Sequence, residues 1–473
     1  MQQERVPPPT LRRLVAIAVP MVLSQASETI MRFVDRLFLS WLGKVHIAAS
    51  MSGGLSAFVF SALFAGMVGY TNALVAQYWG AGHRERCVQS VAQGIYLSIL
   101  LVPALLALIP VVEHLFILAG HTEQQIELEY TYFRIMMLGA VFLLLRQTLA
   151  GFFLGIGKTR VVMAANVIGM MVNVPLNYVL IFGKLGVPAL GIAGAAIATV
   201  VGSAVIFLIL LVSYLAHPMF REFGTRAGIR PRKDLMFRLL RYGSPVGVEL
   251  FLNVFAFNVF VQLMHSMGED VAAAVTITFN YDMVAFIPMI GLGVAVTAMV
   301  GQQMGAGRPD GAHRATMLAL RVGYAYAAVM MALFVFGAPV LVRVFAGGMG
   351  PEDEPLLLLA ETMVRLAAVY TLADITQLVF SGALRGAGDT RAVMLISVLT
   401  HWLAAIGAVV LIRVVGIPPV GMWLYFIGFV MALGVTIFLR YRYGAWRKLS
   451  VIDKTVVEQE THRPKVAVES EWM

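Results

Sequence analysis

Five acidic residues stand where an acid is unfavourable. Glu28, Asp35, Glu249, Asp282 and Asp374 each fall inside a long apolar stretch of the chain. At the centre of a bilayer one such charge costs about 2.5–3.5 kcal/mol. Carboxylates kept against that cost suggest a function that needs movable charge. In low dielectric a carboxyl group holds its proton more tightly than in water, so it can load and release one. The same oxygens suit a hard cation such as Na⁺ when neutral oxygens complete the shell. Asn173 and Asn177 lie one helical turn apart and so share a face, as do Glu249 and Asn253. The competing fate of an intramembrane acid is a structural ion pair. Arg32 and Arg36 lie within one turn of Asp35, and Arg32 follows Glu28 by four residues. Asp374 has no basic residue within two turns on its face. Tyr281, Phe286 and Trp402 offer aromatic faces for a cationic ligand, and His265 and His401 offer ring nitrogens that could pass protons.

The elements that must position these groups are membrane helices. The 473 residues are 59% hydrophobic and only 13% charged, with mean hydropathy +0.82, whereas a soluble domain carries roughly 25% charged residues. Runs of the roughly 20 apolar residues that a span requires recur at 14–40, 49–78, 88–111, 128–154, 161–182, 190–216, 236–264, 272–301, 314–340, 357–384, 392–412 and 420–440. These twelve spans place both chain ends on one side. Connections on the other side carry Lys44, Lys184, Arg343 and Arg413. The side of the ends carries many more cations, among them Arg12, Arg13, Arg84, Arg86, Lys158, Arg160, Arg385, Arg391 and Arg440. The positive-inside rule therefore puts both termini in the cytoplasm of a multi-pass plasma-membrane protein, in a bacterium the inner membrane. The net charge of +9 is thereby assigned to topology, and no nucleic-acid partner is expected. The polar start MQQERVPPPTLRR lacks a signal-peptide cleavage pattern, and the lone Cys87 excludes an intrachain disulfide. There is no GK[ST] phosphate loop, no metal-spaced His/Cys set and no nucleophile motif in context. No cofactor, ATP-driven step or enzymatic activity is expected.

The chain writes one phrase twice. Val75–Arg84 reads VAQYWGAGHR and Val300–Pro309 reads VGQQMGAGRP, an offset of 225 that also pairs Arg13 with Arg238, Leu14 with Leu239, Pro20 with Pro245 and Gly43 with Gly268. GFFLGIGKTRVVM (151–163) matches GALRGAGDTRAVM (382–394) at offset 231, and GVPALG (186–191) matches GIPPVG (416–421) at offset 230. Each copy holds six spans, an even number, so both cross the membrane in the same sense. That is the parallel-repeat arrangement of some secondary transporters, with the site between halves near mid-membrane. The repeated glycines read as turn-formers. The expected organisation is a cytoplasmic N-terminal segment 1–13, a six-helix lobe 14–216, a cytoplasmic linker 217–235, a second six-helix lobe 236–440 and a cytoplasmic tail 441–473.

Several motifs occur in order along the chain: RFVDRLFLSWLG in span 1, QYWGAG and QQMGAG after spans 2 and 8, VNVPLNYVLIFG in span 5, GIAGAAIAT in span 6 and GALRGAGDTR after span 10. Over 11–440 the sequence resembles the multidrug and toxic compound extrusion (MATE) transporters. The resemblance implies an all-α fold of twelve transmembrane helices in two parallel six-helix lobes around a V-shaped cavity. It implies antiport of Na⁺ or H⁺ against organic, mostly cationic, drugs or toxic compounds. It also implies residue roles. Asp35 matches the family's first-span aspartate, and Thr199 matches a threonine of the same network, which Asn173 and Asn177 join. Asn177 stands where one branch of the family has an acid, so the chain is nearer the NorM-like branch. Asp374 matches a cation-site aspartate of NorM-like members. Span 7 departs from the pattern, because the family's glutamate position falls on Asn253 while Glu249 sits one turn earlier. Glu249 and Asn253 are therefore expected to form a relocated site facing Asp374, with Asp374 and Glu249 able to hold Na⁺. Asp282 maps onto no family ligand, yet span 8 aims it at mid-depth and it joins the expected ion-coupling set. Glu28, Tyr281 and Phe286 are expected to touch substrate, and the protein is expected to act as a monomer. One alternative is a flippase of lipid-linked saccharide or cell-wall precursors from the same superfamily, which would need arginines to hold pyrophosphate. A remote one is an intramembrane enzyme, whose paired catalytic groups the repeat does not provide.

Overall fold

The computed structural model describes residues 6–118, 121–225, 228–345 and 353–452, so part of the expected 217–235 linker and most of the expected 441–473 tail lie outside the described residues. No strand occurs among the described residues. Lipid offers no partner for backbone N–H and C=O groups, so a span must satisfy its own, as a helix does. The first copy of the repeat comprises α1 (Leu11–Ser40), α2 (Lys44–Gly69), α3 (Thr71–Gly80), α4 (Arg84–Leu106), α5 (Ile109–Leu118), α6 (Glu123–Leu138), α7 (Ala140–Gly155), α8 (Thr159–Phe182) and α9 (Gly191–Leu215). A short α10 (Pro218–Phe223) lies in the connection. The second copy comprises α11 (Lys233–His265), α12 (Glu269–Gly305), α13 (Pro309–Arg343), α14 (Glu354–Ala387), α15 (Thr390–Val410) and α16 (Pro419–Tyr443). Among the described residues eleven helical segments are long and apolar enough to cross a bilayer, and twelve if α6 and α7, bent by 44°, form one. These coincide with the twelve spans read from the sequence.

The two lobes exchange their first turns. Leu14, Ile17 and Ala18 of α1 belong to a core otherwise built from α12–α16 and Trp446 just beyond them, while Leu235 and Leu239 of α11 belong to the core of the first copy. Leu14 and Leu239 are repeat equivalents, so the exchange is symmetric. Toward the opposite ends of these helices the cores separate. One is built only from second-copy residues, such as Phe260, Phe334, Tyr370 and Trp423. The other holds only first-copy residues, such as Leu39, Tyr132 and Ile181. The lobes are therefore joined at the end that carries both termini.

The repeated phrase is that joint. Gln77 Nε2 donates to Gly386 O at 2.8 Å, and its equivalent Gln302 donates to Gly155 O at 2.7 Å. Gly155 and Gly386 are themselves equivalents at offset 231. A side chain on Gly80 would strike the carbonyl of Gln302, and one on Gly305 would strike that of Gln77. These glycines therefore permit a close crossing of two backbones in addition to starting a turn, which corrects their reading as turn-formers alone. Arg13 donates to Gln302 Oε1. On the other side the symmetry breaks: Val451, fully buried, donates its N–H to Gln77 Oε1 at 3.1 Å and accepts from Arg238.

Candidate functional site

In the first lobe the expected residues converge. Asp35 of α1 is buried, as are Asn173 and Asn177 of α8. One carboxylate oxygen accepts from Asn177 Nδ2 and the other from Thr199 Oγ1 of α9, at 2.9 Å. Asn177 Nδ2 also donates to Asn173 Oδ1 at 3.1 Å. The i to i+4 spacing on α8 lines up both amides, and the packing of α1 on α8 brings Asp35 to them. Among the described residues no direct salt bridge reaches Asp35, although Arg32 and Arg36 both lie within electrostatic range of it. Asn173 Nδ2 and Asn177 Oδ1 are buried without a hydrogen-bond partner. The cluster therefore combines one charge with one unused buried oxygen and one unused buried donor.

Arg32 turns instead to Glu28, at 3.7 Å, and Arg146 of α7 reaches the same carboxylate at 3.1 Å. Glu28, expected to meet substrate, has two guanidinium groups on it. Tyr281 donates its hydroxyl to Leu341 O at 2.7 Å and meets the edge of Phe345, while Phe286 packs against the α12–α16 core. The three residues expected to touch substrate thus engage three separate sets of neighbours. His401 uses Nδ1 on Ser397 O at 2.8 Å, and Trp402 stacks on Phe255.

The second lobe departs further from expectation. Glu249 is buried and its carboxylate accepts from Arg385 Nη2 at 2.7 Å. Arg385 lies eleven residues beyond Asp374 on α14, about 16 Å along the helix axis. The expected Glu249–Asn253 site facing Asp374, and the Na⁺ shell of Asp374 with Glu249, are therefore not formed. Asn253 instead donates to Ser397 Oγ at 2.7 Å. The physical reason is the reach of arginine, whose long stem carries a charge from a helix end into the bilayer. Asp374 has a different partner. It lies within electrostatic range of Asp282 of α12, and Tyr370, one turn before Asp374, donates its hydroxyl to Asp282 Oδ1 at 3.0 Å. Asp282 and Asp374 are both half-buried, and no hydrogen bond from the described residues reaches Asp374.

Two carboxylates within electrostatic range of each other in a poorly solvated setting are unfavourable unless a proton or cation sits with them. With the Tyr370 oxygen beside them they form an acid-rich pair of the kind a hard monovalent ion or a shared proton would occupy. Sequence reasoning had Asp282 and Asp374 separately. It missed Tyr370, Arg146 and Arg385, because nothing in the one-dimensional pattern says which faces of α12 and α14 meet.

The comparisons agree with this architecture. The MatE family model matches residues 20–179 and 245–411, two segments that begin at the equivalent prolines Pro20 and Pro245. The multidrug resistance protein MdtK of Edwardsiella ictaluri is 29% identical over 441 residues, covering 91% of this chain and 95% of that protein. Among solved structures, a MOP superfamily transporter from Pyrococcus furiosus superposes with TM-score 0.84 at 21% identity, over 94% of this chain and 98% of that one. An outward-facing multidrug resistance MATE family transporter gives 0.82 at 21% identity, over 92% and 96%. At such identity the structures speak for the fold, and the family match speaks for descent. This twelve-span, two-lobed membrane chain belongs to the MatE family.

Proposed function

We propose that the protein is a secondary antiporter that exports organic, mostly cationic compounds in exchange for Na⁺ or H⁺. The observation that carries this reading is the Asp282–Asp374 pair with Tyr370, two carboxylates inside the membrane span without an arginine on either. An ion bound there changes the charge of the second lobe by one unit. Alternating access would follow from rocking the lobes about the joint at Gln77 and Gln302, with the ion biasing which face is open. The Asp35 cluster supports the reading as a second site that can hold a proton or an ion. The coupling ion is a transported substrate, and no bound cofactor or catalytic chemistry enters the scheme. On this reading the joined end faces the cytoplasm of a bacterial inner membrane, both termini lie there, and one chain suffices without a nucleic-acid partner. The relative from Edwardsiella ictaluri is a multidrug resistance protein, which supports small organic cargo.

The test is efflux of an organic cation from proteoliposomes with Na⁺ and pH gradients imposed separately. Export driven by either gradient supports the reading. Export indifferent to both, or vectorial movement of a lipid pyrophosphate in its place, would favour the flippase alternative.

A further inference from the structure

A second polar site lies in the first lobe, away from the carboxylates, at the end that carries the termini. A cavity of about 300 Å³ is lined by Trp79 and Arg84 at the α3–α4 turn, Ile156 and Lys158 at the α7–α8 turn, and His217, Met219 and Glu222 after α9. The His217 ring is fixed on several sides. It meets Phe152 and Phe153 edge-on, with centroids 5.2 and 6.4 Å away, and its Nδ1 accepts from the Met219 N–H at 3.3 Å. Burial and the Lys158 charge hold His217 down at about 4, so the ring is neutral at ordinary pH. His217 Nε2 lies 3.1 Å from the Lys158 ammonium, and Arg84 lies over Trp79 in the same wall.

The repeat provides an internal control. At offset 231 Lys158 corresponds to Asp389, whose carboxylate takes two hydrogen bonds from Arg440, at 2.8 and 3.1 Å. The second-lobe turn therefore neutralises itself. Among the described residues Lys158 has no carboxylate partner. An anionic oxygen at Lys158 would accept from the ammonium and supply the countercharge that Asp389 and Arg440 give each other in the second lobe, and charge-assisted bonds of this kind are strong. We propose that this cavity binds a phosphate group, supplied either by a phospholipid headgroup or by free inorganic phosphate. Helix α9, which ends two residues before His217, exposes Leu208, Val212 and Leu215, apolar side chains suited to acyl chains, and Glu222 offers an acceptor to a headgroup hydroxyl.

The test uses the purified full-length chain in detergent, with native mass spectrometry and thermal melting in the presence of phosphatidylglycerol, inorganic phosphate or diacylglycerol. Phosphatidylglycerol is expected to bind as one retained copy and to raise the melting temperature, and diacylglycerol is not. Lys158→Gln is expected to weaken phosphatidylglycerol binding about fivefold, the effect of one cation near an anionic headgroup. Lys158→Asp, which copies the second lobe, should abolish it. Arg160→Gln removes an equal charge two residues away, outside the cavity lining, and should leave binding unchanged. Protection by inorganic phosphate to the same extent, lost in the same variants, would assign the site to the free anion and uphold it. Equal binding by wild type and both Lys158 variants, or equal weakening by Arg160→Gln, would overturn the proposal. Melting of each variant without ligand guards against misfolding.

Discussion

The two lobes descend from one repeat, yet their buried acids are treated in opposite ways. Asp35 sits among neutral donors, Asn177 on one oxygen and Thr199 on the other. Asp374 sits with a second carboxylate, and the phenol beside them donates to Asp282. Donors on a carboxylate offset part of the cost of burying it, whereas a donor-poor pair requires a proton or cation to complete it. Symmetry is kept where the lobes touch, in the exchanged bonds of Gln77 and Gln302. It is lost where the charges are. The joint has to serve both halves alike, while an ion gradient needs only one of them to bind the ion reversibly.

The contrast can be broken in several ways, beginning with the buried ion pairs. Arg385→Gln strands the Glu249 carboxylate and should cost about 3–5 kcal/mol of stability, measured by thermal melting in lipid. Arg146→Gln leaves Glu28 with Arg32 and should cost clearly less. Next, Asp374→Asn or Asp282→Asn should lower ion-driven efflux by about 5–150-fold, the span of typical coupling energies, with normal melting. The double variant should do little further harm, because the two groups act as one titrating unit. Asp35→Asn sets an amide donor against one of the two groups that now donate to the carboxylate, Asn177 or Thr199, and should destabilise by about 1–3 kcal/mol. Coupling that vanishes in Asp35→Asn and survives in Asp374→Asn would invert the assignment. The smallest effects belong to the joint. Gln77→Leu and Gln302→Leu each remove two cross-lobe contacts and should shift the balance of open and closed faces by about 1 kcal/mol apiece, read as spin-label distances between α3 and α12. Unequal shifts would show that Val451, which bonds to Gln77 and not to Gln302, dominates the joint.

Much of this was legible in the sequence. The twelve spans follow from apolar run length, and the joint follows from a phrase written twice, whose glycines prove to be crossing points. The Asp35 cluster was readable because Asn173 and Asn177 declare a shared face and the remaining residues follow from family resemblance. The second lobe was less readable for definite reasons. Glu249 and Asn253 do share a face of α11, but that face meets Arg385 and Ser397, residues whose positions depend on how α14 and α15 pack. Arg385 counts as a loop cation in one dimension and as the partner of a buried carboxylate in three. Asp282 was visible as a costly charge, while its relation to Asp374 and Tyr370 depends on the meeting of α12 with α14, 88 residues apart at the hydrogen bond itself.

The most direct test of the central claim is ion release from the purified protein when an organic cation binds. A weakly buffered solution with a pH indicator reports H⁺, and a radiolabelled Na⁺ assay reports Na⁺. The account predicts release of one of these ions by wild type and by Asp35→Asn, and none by Asp374→Asn or Asp282→Asn. Release that persists in both second-lobe variants and disappears in Asp35→Asn would contradict it.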